Sequence, residues 1–299
     1  MKIEKKQNYI NTMNVCGIHT ISGRLPIDEM TDFSQLRNPV KGLHLNINRS
    51  LQQINVRINP NHDLNGRERI LESFSMFVSK VDEMLKDIGY ILNDLSVTRA
   101  DFCINSCEPN SYDEYYKLHK LLIQCVGMMS KSNNRYTSSD YLTNEQRSIA
   151  FKSKKFEVEN YNKAIESNGK SMYTNRLELR TIGTIDDLQH DFLKEWRYRL
   201  NGCIDMIERV EQTCNDTLMH KFNDSHSRQC LYSFLQSHTD WLYSRRQARN
   251  LFSCMDAGKR TDKQAKNLFD ICKLESINKA DILTLTSHIK SQMRAYFGG

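Results

Sequence analysis

The chain has 299 residues, enough for one large domain or two ordinary ones with a real core. At 39% hydrophobic and 26% charged it has an ordinary soluble composition. No apolar run approaches the roughly 20 residues of a transmembrane helix, which excludes a helical membrane protein and predicts no membrane partner.

The net charge of +6 is uneven: residues 241–299 hold 11 Lys/Arg against 5 Asp/Glu, and the rest of the chain holds 31 of each. A local basic surplus points to a polyanion partner. The opening MKIEKKQNYIN is basic, but no apolar stretch follows it, so a signal peptide is not expected and a cytoplasmic protein is. Nine cysteines without a CxxC pair or zinc spacing read as free thiols in a reducing compartment.

Several short alternating runs lie in the first 180 residues. Leu43, Leu45 and Ile47 alternate with His44, Asn46 and Asn48, and Ile54, Val56 and Ile58 alternate with Asn55 and Arg57. Arg67 to Ile88 carries Ile70, Phe74, Phe77, Val81 and Met84 at helical spacing. Ala100, Phe102 and Ile104 then alternate with Arg99, Asp101, Cys103 and Asn105. Asp113 to Met129 repeats the helical pattern. Phe156 and Val158 alternate with Glu157 and Glu159, and Leu177 and Leu179 with Arg176, Glu178 and Arg180. Period-two alternation marks strands with one apolar and one polar face. The expected fold class is therefore α+β, an antiparallel-rich sheet with helices on one face, over residues 1–182.

After Gly183 no proline occurs, and residues 183–299 are expected to be a helical region. Thr184 with Asp187 resembles a capping box before Leu188, Phe192 and Trp196. A helix from about Asp240 should stop at Gly258. Thr261 with Gln264 should open another, and Asn278 with Asp281 a last one carrying Ile282, Leu285, Ile289 and Met293. Arg245, Arg246, Arg249, Lys259, Arg260, Lys263 and Lys266 make the helix–turn–helix-like stretch around Gly258 a candidate DNA-binding segment. A solvated bundle face reads as well from the same residues.

If the strands pair as neighbours, Asp101, Glu157, Glu159, Tyr161, Arg176, Glu178 and Arg180 share one surface. A tyrosine hydroxyl with a pKa near 10 needs a nearby cation, or a metal on the phosphate it attacks, to act as a nucleophile. Lys163 is a candidate cation, and Asp101 with Glu178 a candidate pair of hard oxygen ligands for Mg²⁺ or Mn²⁺. An ordinary sheet face with cross-strand ion pairs accounts for the same pattern.

The same residues carry a family resemblance. HTISGRL (19–25), INVRINPNHDL (54–64), VTRADFCIN (97–105), YNKAIE (161–166) and NRLELR (175–180) stand in the order of the motifs of rolling-circle replication initiation factors. The resemblance covers roughly residues 14–182. That family groups Gram-positive plasmid initiators with conjugative-element relaxases and phage proteins. The resemblance implies a tyrosine-nuclease, replication-initiator-like sheet. It also implies nicking of one strand at an origin, leaving a 5′-phosphotyrosine link and a free 3′ hydroxyl that primes synthesis. Carried over, Tyr161 is the nucleophile, Lys163, Arg99 and Arg176 are the basic positions, and Asp101 and Glu178 are the acidic positions that would hold a divalent metal. The implied partners are origin DNA, single-stranded, cruciform or supercoiled, with a host helicase and a second copy of the chain as further candidates. Gly17 and Asn105 depart from the pattern, standing where relatives carry Asp, and His19 and His44 are candidate imidazole ligands in compensation. A conjugative relaxase, a non-catalytic DNA-binding relative and a scaffold protein are the alternatives.

Overall fold

The structure, a computed structural model, describes residues 10–27, 34, 36, 39–62, 68–109, 111–128, 135–137, 140–141, 146–221 and 279–298. The described strands are β1 (Val15–Pro26), β2 (Leu43–Asn48), β3 (Gln53–Ile58), β4 (Ser96–Ser106), β5 (Arg135–Thr137), β6 (Asp140–Tyr141), β7 (Gln146–Lys152), β8 (Phe156–Asn162) and β9 (Asn175–Ile185). They form one sheet in the order β2-β3-β1-β4-β9-β8-β7-β5, with β6 on β7, and every pair is antiparallel. The helices are α1 (Phe74–Lys86), α2 (Ser111–Met128), the single turn α3 (Lys163–Glu166), α4 (Leu188–Lys221) and α5 (Lys279–Gly298). The fold is α+β, as the alternation predicts.

The apolar phase of each strand builds the core. Ile18 and Ile21 of β1, Phe102 and Ile104 of β4, Val158 of β8 and Leu177 and Leu179 of β9 are buried together with residues of α1, α2, α4 and α5. Phe102 packs against Phe192 of α4 and against Tyr296 and Phe297 of α5 at ring-centroid distances of 5.5–5.8 Å. The boundary expected after residue 182 lies inside β9, and helices on both sides of it enter one core. The expected helices around Gly258, and Arg245, Arg246, Arg249, Lys259, Arg260, Lys263 and Lys266, lie outside the described residues. Among those described, no helix is long and apolar enough to cross a membrane.

Several boundaries differ from the sequence expectation. The helix expected from Arg67 begins at Phe74, because Ser73 caps it by accepting from the Met76 amide at 3.3 Å. Residues 68–72 run instead across the polar face of the sheet. The cap before α4 is Asp187, which accepts from the His190 amide at 2.8 Å, while Thr184 lies within β9. Strand β7 is a further element beyond the alternating runs. It lies beside β8, with Ser148 opposite Tyr161.

Candidate active site

Strand register sets the polar face in rows. Ser148, Tyr161, Arg176, Asn105 and Val15 lie across one row, and Ala150, Glu159, Glu178, Cys103 and Gly17 across the next. Lys152, Glu157, Arg180, Asp101 and Thr20 form the third. Tyr161 and Glu178 are diagonal neighbours on adjacent strands, and the Tyr161 hydroxyl donates to Glu178 Oε1 at 2.7 Å. Burial and the Glu178 charge together push the phenol pKa well above 10.

The YNKAIE motif is explained by a turn. Asn162 ends β8 and caps α3, its side chain accepting from the Ile165 amide at 3.1 Å. That turn brings Lys163 back toward the face that carries Tyr161. The Lys163 ammonium lies 5.9 Å from the Tyr161 ring centre, 2.7 Å from Glu166 Oε2 and 3.7 Å from Glu68 Oε2.

Arg176 is completely buried. Its Nε donates to Asn105 Oδ1 at 2.6 Å and its Nη2 to Glu68 Oε1 at 2.7 Å. Asn105 thus gives Arg176 an uncharged acceptor. Arg180 gathers carboxylates: its Nη1 donates to Glu157 at 2.9 Å and to Glu159 at 2.6 Å, and its Nη2 to Glu178. Burial alone would raise the Glu178 carboxyl, but Arg180, His19 and Arg176 outweigh it and hold the group well below the usual carboxylate range.

Glu68 was not singled out by sequence reasoning. Its carboxylate accepts from His19 Nε2 at 2.9 Å as well as from Arg176. Burial would raise it, yet the His19 hydrogen bond and the charges of Arg176 and Lys163 hold its pKa at about 2. Two features bring it here. A β-bulge in β1, where the register slips between Ile18 and Thr20, puts both His19 and Thr20 on the polar face, where His19 Nδ1 contacts Thr20 Oγ1 at 3.0 Å. Asn61, the last residue of the Asn-Pro-Asn stretch, donates its amide to Ile18 O at 3.0 Å and His19 O at 2.8 Å and accepts from the Leu71 amide at 3.0 Å. That side chain fastens residues 68–71 against β1. Ile70 packs with Cys103 and Tyr173 beneath the segment. The only sequence signal for Glu68 is its place shortly after this Asn-Pro-Asn stretch.

Gly17 takes its meaning from the same packing. A Cβ there would lie 2.8 Å from Ile70 Cγ2 and from Tyr296 Cε2, and 2.9 Å from Leu71 O. No Asp fits at this position. His44 is exposed on the edge strand β2, whereas His19 sits on β1 within the cluster.

The pair Asp101 and Glu178 faces guanidinium groups. Both Asp101 oxygens accept from Arg99, at 2.7 and 2.9 Å, and Glu178 receives Tyr161 and Arg180. As arranged, these oxygens do not fit a divalent ion, which would have to displace a charge-assisted fork. Among the described residues, no group of three or more His, Cys, Asp or Glu side chains is set to hold a metal. Cys16, Cys103, Cys107 and Cys203 are free.

The structure thus brings Tyr161, Lys163, Arg176 and Glu178 together, with Arg99 and Asp101 two strands from Tyr161 on the far side of Arg180. No protein-family model and no curated protein matches this sequence. Among solved structures, the rolling circle replication initiator protein from Geobacillus stearothermophilus is similar over 56% of this chain and 74% of that one, at 12% identity and a TM-score of 0.28, a score too low to establish a shared fold.

Proposed function

We propose that this protein is a DNA strand-nicking and strand-transfer initiator with Tyr161 as its nucleophile. The observation that carries the reading is the Tyr161 hydroxyl, 2.7 Å from a carboxylate and flanked by Lys163 and Arg176. Nucleophile, proton acceptor and phosphate-binding cations are the parts a transesterification requires. The sequence motifs, in family order, support the same reading.

In the proposed step the Tyr161 oxygen bonds to a backbone phosphorus and the bond from phosphorus to the 3′ oxygen breaks. The departing electron pair stays on that oxygen, which takes up a proton. The phenol proton moves toward Glu178, so one phosphodiester replaces another and no external energy source is needed. Glu178 is a weak base while Arg180 and Arg176 hold it ionised. Proton transfer therefore requires the phenolate to be stabilised as it forms, a role that falls to Arg176, directly across the strand pair. No step here runs through a metal. The Mg²⁺ or Mn²⁺ that the motif resemblance implies would have to compete with Arg99 and Arg180.

The test uses labelled single-stranded DNA covering the protein's own origin, incubated with and without Mn²⁺ or Mg²⁺. An SDS-stable adduct is expected from the wild type and none from Tyr161→Phe. Adduct formation by Tyr161→Phe would remove Tyr161 as nucleophile. No adduct from the wild type on its cognate site would leave a non-catalytic DNA-binding protein as the reading.

A further inference from the structure

The polar face holds more hydrogen-bond donors than the nucleophile needs, and three converge on one carboxylate. His19 Nε2 from β1 and Arg176 Nη2 from β9 meet Glu68 Oε1 at 2.9 and 2.7 Å, and Lys163 Nζ from α3 stands 3.7 Å from Oε2. Donors arriving from separate elements at a common point define an anion seat. Glu68 itself belongs to no strand of the sheet and no helix. It is tethered by a single bridge to His62 and by the Arg69 amide bonded to Asn61 O at 2.9 Å. Unlike Arg176, it can withdraw without breaking a strand pair.

A second observation points the same way. Arg176 Nη1 lies in a fully buried side chain and has no hydrogen-bond partner, with Glu178 Oε1 standing 3.7 Å away. Leaving a buried charged donor unpaired is costly. The Glu68 carboxylate reaches Nη2 and leaves Nη1 empty. A phosphate, with more oxygens around one centre, can take both guanidinium nitrogens as a fork and still face Lys163. Glu178 Oε1 also accepts from Tyr161, so the seat and the nucleophile share a neighbour.

We propose that His19, Lys163 and Arg176 form the seat for a backbone phosphate, and that Glu68 is a resident anion holding that seat until a phosphate takes it. The inference builds on the strand-transfer reading and adds where the phosphate binds and what it displaces. Two anions cannot share the seat, so the Glu68 charge must weaken phosphate binding in the free protein.

Inorganic phosphate is the probe, titrated into the full chain and followed by calorimetry with ³¹P line broadening. Glu68→Gln, which keeps the shape and removes the charge, is expected to bind phosphate at least ten-fold more tightly than wild type. Glu166→Gln is the comparison: that carboxylate also pairs with Lys163 but is half-exposed, and its neutralisation is expected to change affinity less than three-fold. Unchanged affinity in folded Glu68→Gln overturns the proposal. So does an equal gain in both variants, which would reflect net charge alone. If Glu68→Gln does not fold, Glu68→Asp, whose shorter carboxylate draws back from the seat, must show the gain. Because the probe is not DNA and no bond is cut, this result stands or falls apart from the adduct assay.

Discussion

The Tyr161 phenol is kept protonated by its neighbours. Burial disfavours the phenolate, and Glu178 adds both its charge and an accepted hydrogen bond to that penalty. Neutralising Glu178 removes two of those effects, so Glu178→Gln is expected to lower the Tyr161 pKa toward 10. Tyrosine NMR with Tyr161→Phe as the assignment control measures this, and an unchanged or raised value would show that Glu178 is not the controlling neighbour. The stability consequence has a definite sign. A phenol whose folded-state pKa is raised contributes stability that is complete below the unfolded value near 10 and lost as pH rises through the folded value. In Glu178→Gln that contribution shrinks, so the fall in stability above pH 10 should be shallower. The common face of Tyr161, Arg176 and Glu178 is legible in the sequence, because strand alternation assigns it, whereas Lys163 reaches that face through the turn of α3. Glu68 is not legible. Its placement depends on a bulge at His19 and an Asn61 side chain that crosses between segments, and neither leaves a periodic trace.

Elements that bury one face announce themselves, and those that fold over a site do not. Strands β2, β3, β4, β8 and β9 show clean alternation because their outer face is polar. Strand β7 reads Ser148-Ile149-Ala150-Phe151, all buried, so the contrast between its faces is weak. Residues 68–72 were expected to be helical because Ile70 falls in phase with Phe74 and Phe77. Ile70 is buried for another reason, against Cys103 and Tyr173 on the opposite side of the sheet. The packing of this segment over Gly17 can be tested directly. Gly17→Ala places a methyl 2.8 Å from Ile70 and 2.9 Å from the Leu71 carbonyl. We expect a loss of about 1–3 kcal/mol in urea unfolding, typical of overpacking. The site should suffer with it, since Glu68 rides on the displaced segment. A fully stable Gly17→Ala would show that the segment gives way freely.

Across the whole molecule, the helices on either side of the long basic region are parts of one core. Ile282, Leu285, Ile289, Met293 and Phe297 of α5 are all buried in it. At about 1.5–3 kcal/mol per buried apolar side chain, these five contribute about 8–15 kcal/mol, comparable with the entire stability of a typical domain. Deleting residues 279–299 should therefore abolish cooperative unfolding and near-ultraviolet circular dichroism. Retention of both would mean that the sheet holds its core without α5. The same helix is tied to the first strand: His288 Nε2 lies 2.7 Å from Met13 O, and the Cys16 thiol donates to Gln292 Oε1 at 3.3 Å. These contacts join residues 275 and 276 positions apart. At synthesis rates of about 5–20 residues per second, a ribosome takes roughly 15–55 s to travel between them. Strand β1 lies inside the sheet and carries His19, so the packing behind this polar face lacks its last element until α5 emerges. A nascent chain that has not yet released α5 is thus without the contacts that hold the first strand in place.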